Sequence, residues 1–569
     1  MRNPSDSNPA LVLSFGIVFW ISTIAIGHSI GFIFGISMGP AWTIVSSLAA
    51  LIVVFLRLSR LGRAKALLLT LSLVLVCLVS VWISSIMIDT SGDGNSYHKF
   101  AIGKLAHGWN PLREDSTELW STTYPKASWI FAGSIYQLTG NIESGKALAL
   151  VLVVATALAA YSYLRSKLQP GIAVIVSLLL ACNPVTIMQF NSYFIDGVLG
   201  NLLIMLIIWL TILIDDSVNV NRLHVLILIV MTIVLACNIK FTGILYAGII
   251  GIVYLAYLLF RRHWVQARRL SVAGIVSLVV GLFIVGSSSY VVNVIRYGNP
   301  FYPLLGEGKI DIMLVNQPAN YDGMSTISKF LYVNFGASDN IRNPTGELIN
   351  PPSDVVDEMR FKVPFNISPH ELEIFGYGPP DIRQAGYGVW FGGILLLSLI
   401  FGIALLLRHR KALFESGGRV LWPFVLPMIA VGLTALIVSE SWWSRYLPHL
   451  FVVPIAVLVG LLISGYSWYP RILMFALLFN SILILVLSVG VQVRASKGVV
   501  GQFESHLVCD ERPIIVTDAI GDFYGARYNF QDLCPDITFD EVVLDGADPD
   551  PDWAHFFLNF YISSEPSRG

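Results

Sequence analysis

ALLLTLSLVLVCLVSVWISSIMI, residues Ala66 to Ile88, runs directly into DTSGDGNSYH, Asp89 to His98. The first segment has the length a helix needs to cross a bilayer, about 20 residues. The second is acidic and follows with no spacer. A carboxylate at a membrane boundary costs free energy unless it has a partner or a task, so Asp89 and Asp93 mark a candidate functional site.

The whole chain reads the same way. Hydrophobic residues make up 55% and charged residues 13%, and the mean hydropathy is +0.70, which excludes an ordinary soluble domain. Apolar runs of spanning length, about thirteen in all, cover approximately Ala10 to Ile30, Pro40 to Leu56, Ala66 to Ile88, Ser144 to Leu164, Gly171 to Met188, Val198 to Ile214 and Leu223 to Asn238. Phe241 to Phe260, Leu270 to Val292, Tyr387 to Leu407, Val420 to Val438, Leu447 to Ile463 and Pro470 to Gln492 complete the set. The first run lacks a cleavage pattern, so it is expected to be a retained helix. A net charge of -1 implies no nucleic-acid partner.

Basic residues in short loops set orientation. Arg57, Arg60, Arg63 and Lys65 share one side with Arg165 and Lys167, with Arg261, Arg262, Arg268 and Arg269, and with Arg408, Arg410, Lys411 and Arg419. That side is expected to be cytosolic together with the N-terminus, in an integral protein of a bacterial inner membrane. Alternation then puts loop 89–143, the Asn191 to Asp196 loop, loop 296–386 and the tail outside. Glu307 and Glu511 are expected outside, and Arg262 and Arg410 inside. Of the five cysteines, Cys77, Cys182 and Cys237 fall in apolar spans. Cys509 and Cys534 fall in the outer tail, where a disulfide would staple a small domain. In that tail Pro513 to Thr517 has the pattern of a strand, and Asp545 to Asp552 is acidic. No P-loop, GxGxxG, HExxH or CxxC is present, so attention turns to the outer-face residues.

Asn95 to Leu105 has the pattern of an amphipathic helix in the membrane interface, with Phe100, Ile102 and Leu105 toward lipid. Asp93 lies at or near its N-cap. The plain alternative makes Asp93 and Asn95 caps and Asp89 a helix terminator. Asp196 opens an apolar helix, where a cap is the plain reading and a second acidic group facing Asp93 the functional one. Lys240 interrupts an apolar stretch from Leu223 to Phe260, so its ammonium must snorkel outward or meet an anion. In the large loop, Tyr302, Asn316-Gln317, Tyr321-Asp322 and the Gly376 to Pro380 turn suit a functional lid.

The order apolar helix, Asp93-Gly-Asn-Ser-Tyr97-His98, then Gly108-Trp-Asn-Pro111 resembles the first outer loop of the GT-C glycosyltransferase superfamily, in particular the bacterial relatives of dolichyl-phosphate-mannose protein mannosyltransferases. Arg296-Tyr-Gly-Asn-Pro-Phe-Tyr-Pro303 and Arg445-Tyr446-Leu-Pro448 are similar to segments of such proteins. Two helices precede the loop here, and the Asp-Glu pair many relatives show is missing, which leaves both Asp89 and Asp93 open as the acidic counterpart.

The resemblance implies an all-α polytopic membrane protein of GT-C type: two added helices in 1–65, a core in 66–492, and a small extracytoplasmic domain in 493–569. It also implies transfer of sugar from a polyprenyl phosphate or diphosphate to an acceptor glycan, lipid or protein at the outer face. Asp93, Asp196 and His98 are the catalytic candidates, and Lys240, Arg296 and Arg445 a clamp for the donor phosphate. Asp89, Tyr97 and Tyr302 are further cavity candidates, and a divalent metal on Asp93, His98 and Asp196 is an option. A polysaccharide ligase or polymerase, or a lipid-linked glycan flippase, are the competing functions.

Overall fold

The computed structural model describes residues 8–312, 318–336, 361–367, 371–372, 386–410 and 421–506, and in the tail 509, 515–518, 524–535, 537–540, 554–556 and 560–563. Asn316-Gln317, the Gly376 to Pro380 turn, Lys411, Arg419, Glu511 and the acidic segment Asp545 to Asp552 lie outside these residues.

Every apolar run becomes helical, and the protein is a polytopic helical membrane protein. Among the described residues ten helices are long and apolar enough to span, and Pro170–Ala181, Trp422–Ile437 and Pro448–Ile463 are shorter. Asp196–Ile214 is the central helix, with 94% of its apolar window buried, whereas Arg63–Ser85 is 22% buried and leaves Leu67, Leu68, Leu71, Leu75 and Leu78 exposed. A helix buried all round needs apolar residues on every face, and between Val198 and Ile214 only Asn201 and Thr211 combine a polar side chain with no apolar ring.

Several expected boundaries move. Gly171 to Met188 is not one span, because the helix Pro170–Ala181 stops at Cys182 and restarts at Pro184. Asn183 is extended, as a residue before proline prefers, and its side chain caps the Thr186 N–H at 3.1 Å. The span expected from Leu270 begins at Trp264, so Arg268 and Arg269 sit in its first turns, and it passes through π-turns at Val280–Val285 and Ser287–Val291. The last helix runs without a break past Gln492, from Tyr469 to His506.

Polar groups gather at two ends of the bundle. At one, Asn8 donates to the Ser162 carbonyl at 3.0 Å, Lys167 pairs with Asp215 at 2.8 Å, and Arg222 with Asp216 at 3.6 Å. At the other lie the loops that begin at Asp89 and Asn191, the Lys240 turn and Arg445, joined by the contacts described below.

The Asn95 to Leu105 segment is helical, a π-turn Gly94–His98 leading into the α-helix Lys99–Ala106, yet it does not lie in lipid. Ile102 and Leu105 are fully buried, and the tail covers the helix: Tyr528 occupies the space a Cβ on Gly103 would need. An amphipathic pattern marks one face for burial and does not say against what. The tail departs from the all-helical architecture by forming a four-stranded sheet in the order β2-β1-β4-β3. β1 is Ile515–Asp518, β2 Thr538–Asp540, β3 Ala554–Phe556 and β4 Phe560–Ser563. β1 pairs parallel to β2 and antiparallel to β4, which is antiparallel to β3.

Candidate active site

Asp196 is the first residue of the central helix, and its carboxylate does more than cap it. Oδ1 accepts from Lys240 Nζ at 2.5 Å, and Oδ2 lies 3.5 Å from Arg445 and 3.3 Å from the Gln189 amide. Lys240 is extended and closes a two-residue turn between Arg222–Ile239 and Thr242–Phe260. The turn is that tight because Gly243 lets the helices touch; a Cβ there would meet the Ala236 carbonyl at 2.0 Å. The anion that Lys240 meets is therefore a carboxylate of the protein, and its ammonium also lies 3.6 Å from the centre of the Tyr446 ring.

Arg445 comes from a string of short 3₁₀ turns, Ser439–Trp442, Ser444–Tyr446 and Pro448–Phe451. Phe194, Trp443 and Tyr446 enclose its guanidinium at 4.7 to 5.1 Å, and it bridges Asp196 to Asp93, 3.4 Å away. Asp93 is no cap, since its side chain makes no capping hydrogen bond. Its side chain is 38% exposed, against 2% for Asp196 and 8% for Arg445. Asp93 thus stands at the opening of a cluster whose other three members are buried.

The remaining candidates divide. His98 is buried, and its Nδ1 accepts from the Trp129 indole N–H at 2.6 Å. That bond leaves the proton of the neutral ring on Nε2, and burial holds the pKa down at about 3. Tyr97 lies 4.2 Å from the His98 ring and within 6.4 Å of Trp120, Tyr124 and Trp129, forming an aromatic wall. Burial pushes its hydroxyl pKa well above the ordinary tyrosine value. Asp89 is fully buried, and its carboxylate accepts from the backbone N–H of Ser91 and of Tyr193, both at 2.8 Å, so it ties the loop that begins at Asp89 to the one that begins at Asn191.

Arg296 does not join Lys240 and Arg445. It pairs with Asp115 at a surface position, 35% exposed, and Tyr302 stacks on its neighbour Tyr297 at 4.0 Å. A long side chain at a helix end reaches whichever opposite charge is nearest, and here that is Asp115, more than 180 residues before it. Among the described residues no three His, Cys, Asp or Glu side chains come together as metal ligands, so the optional metal set of Asp93, His98 and Asp196 is not assembled. Cys509 and Cys534 are bonded in the structure with Cα atoms 5.6 Å apart, a separation usual for disulfides. Tyr321 of the large loop is buried against Trp442 at 5.7 Å, so that loop packs beside the Arg445 segment.

A second charged group lies behind the loop that carries Asp89 and Asp93. Glu143 is buried between Lys99 at 2.5 Å and Lys146 at 2.7 Å. Its Oε2 also accepts the Asp89 N–H at 3.0 Å, and Lys146 reaches Asn191 at 3.0 Å and the Met87 carbonyl. The tail enters through Asn529, which accepts from Lys99 and donates to Glu143, each at 2.7 Å. Two lysines and a glutamate flanking apolar runs were the available signal.

No protein-family model matches the chain, and no curated protein matches it. Among solved structures it is similar to ArnT from Cupriavidus metallidurans bound to undecaprenyl phosphate, at 14% identity and a TM-score of 0.38, with 82% of this chain and 84% of that one covered. The apo state of the same protein matches at 13% identity with the same TM-score and coverage. A likeness this distant carries no functional argument.

Proposed function

We propose that the chain is a membrane glycosyltransferase of GT-C type that moves a sugar from a polyprenyl phosphate or diphosphate to an acceptor hydroxyl at the outer face. The observation that carries this reading is Arg445, poised between half-open Asp93 and buried Asp196 beside Lys240. Its contacts to Asp93 and Asp196, at 3.4 and 3.5 Å, are longer than the roughly 2.7–2.9 Å of a strong charge-assisted bond. A phosphate entering past Asp93 can exchange these two long contacts for shorter ones to Arg445, while Lys240 stays on Asp196 and supplies field.

In the reaction Asp93 takes the acceptor proton and the acceptor oxygen attacks C1 of the sugar. The bond from C1 to the phosphate oxygen breaks with inversion. For a monophosphate donor, the negative charge moves onto the departing lipid phosphate as Asp93 becomes neutral. Lys240 and Arg445 then carry one more charge than Asp196, so a net positive site faces the phosphate as its charge grows. The four groups lie in loops and at helix ends, which supports an enzyme over a carrier with a mid-membrane site.

Mass spectrometry of lipid bound to the purified protein, followed by a transfer assay with that lipid-linked sugar, tests the reading. A polyprenyl-linked sugar that is consumed supports it. Protein that holds no such lipid and consumes no lipid-linked donor would overturn it.

A further inference from the structure

The tail reaches the loop that carries Asp93 through contacts the proposed reaction leaves unexplained. Residues Asp93 to Ala106 form one helical run, in which Lys99 is completely buried. Its ammonium donates to Asn95 Oδ1 at 2.8 Å, and the Asn95 amide donates to the carbonyls of Asp89 and Ser91 at 2.9 and 2.8 Å. The chain on the N-terminal side of Asp93 is thus held from Lys99 by way of Asn95.

The third strong acceptor of Lys99 is Asn529 Oδ1, brought in by the tail helix Arg527–Leu533. The same amide donates to Glu143, so one residue serves a buried cation and a buried anion at once. An amide can do this; a carboxylate lacks the donor and an aliphatic side chain lacks both. The seat is fitted closely as well. A Cβ on Gly525 would lie 2.6 Å from the Asn95 carbonyl oxygen and 2.9 Å from the Phe100 nitrogen, so only glycine allows that approach. At the far end of the helix Asp532 accepts from the Tyr136 hydroxyl at 2.5 Å and the Ile142 N–H at 2.6 Å, and the neighbouring Cys534 is bonded to Cys509.

We propose that Asn529 is a positioning residue for the Asp93 loop, and that the C-terminal tail is a working part of the catalytic end of the membrane core. Through Lys99 and Asn95 it fixes Asp89 to Ser91, and so sets where Asp93 stands relative to Arg445. The catalytic consequence rests on the function proposed above; the mechanical one does not. Asn529 touches neither Lys240 nor Arg445, so its loss lowers turnover and spares donor binding.

Asn529→Leu and Asn529→Asp are compared in the full-length protein with Tyr528→Phe, which keeps the ring packed on Gly103. Turnover with a lipid-linked sugar donor and amide hydrogen exchange over residues 89–106 are both read. A displacement of about 1 Å can cost 10²-fold in rate, so kcat is expected to fall about 10- to 100-fold in both Asn529 variants. Donor KM is expected to change less than about threefold. Exchange over 89–106 should rise while 524–533 stays protected, and Tyr528→Phe should resemble the unsubstituted protein. Unchanged exchange over 89–106 overturns the proposal, as does loss of protection confined to the tail or a loss carried by KM alone. Should the unsubstituted protein transfer no lipid-linked sugar, the function proposed above fails, and the exchange measurement still decides the role of Asn529.

Discussion

Asp93 stands between two glycines, and Gly94 has no room for a side chain: a Cβ would meet Asp89 Oδ2 at 2.0 Å and Ser91 Oγ at 2.5 Å. That crowding separates the two aspartates the sequence left open. Asp89 faces inward onto backbone N–H groups, and Asp93 faces the opening and Arg445. Loss of a general base typically costs about 10²–10⁴-fold in rate, so Asp93→Asn is expected to lose most single-turnover transfer while binding the lipid-linked donor normally. Near-normal transfer would remove Asp93 from the base role. Asp89→Asn is expected to act on stability, because one of its two backbone donors loses its acceptor in a buried place, at about 1–3 kcal/mol. A lowered unfolding temperature is the measurement, with transfer per folded molecule much less affected than in Asp93→Asn. Lys240→Ala leaves Asp196 with Arg445 as its remaining cationic neighbour, at 3.5 Å, so it is compared with Lys240→Met combined with Asp196→Asn, which removes one buried cation and one buried anion and keeps the net charge of the cluster. Weaker donor binding by Lys240→Ala, recovered in part by the pair, is the expected outcome, and unaltered binding by Lys240→Ala would take Lys240 out of the clamp.

The helices were legible because a run of apolar residues of spanning length has few other fates. What covers an element was not. The Lys99–Ala106 helix carries a correct buried face whose partner lies more than 400 residues away in sequence, and no local pattern encodes such a contact. The same distance hid the Lys99, Glu143, Lys146 and Asn529 group, although each polar residue was visible singly. Removing one member of a buried ion pair costs about 3–5 kcal/mol, since it leaves the other charge uncompensated. Glu143→Gln leaves Lys99 and Lys146 facing one another and is expected to destabilise the protein by that order, read as a loss of thermal stability; a neutral effect would show that water reaches the group. The tail helix has a pH response of its own. Burial raises the Asp532 carboxyl to about 6, opposed by hydrogen bonds from Tyr136 and the Ile142 N–H, with Glu143 raising it further and Lys99 lowering it. A carboxyl whose folded pKa lies above its unfolded value near 3.8 contributes stability that is full below 3.8 and is lost as pH rises through about 6. Limited proteolysis of the tail is therefore expected to slow as pH falls from 7 toward 5, and Asp532→Asn should flatten that dependence. A slope unchanged in Asp532→Asn would assign the response to another group.

At the scale of the whole molecule the described charges sort to two ends, and the described parts of the long loops and of the tail belong to one of them. Asp93, Asp196, Lys240 and Arg445 arrive from four separate connections, at alternate ends of successive spans, and meet within 3.5 Å, which requires those connections to share a side. Asn8, Lys167, Asp215 and Arg222 occupy the other side, next to the basic loop of Arg57 and Arg60, whose charges reach His224. Basic residues in short loops are retained in the cytosol, so the end that carries Asp93 is expected to face away from it. Nucleotide-linked sugars are cytosolic, and an enzyme working at that outer end needs a donor carried across by a lipid; sidedness and donor chemistry therefore stand or fall together. Single cysteines at Glu307, Arg262 and Arg410, placed in a chain with its own reactive thiols removed, are to be labelled with an impermeant maleimide in intact cells and in inverted vesicles. Position 307 is expected to react from outside, and positions 262 and 410 only in inverted vesicles. Labelling of 307 from the cytosolic side would put the Asp93 cluster in the compartment of nucleotide sugars and remove the reason for a lipid-linked donor.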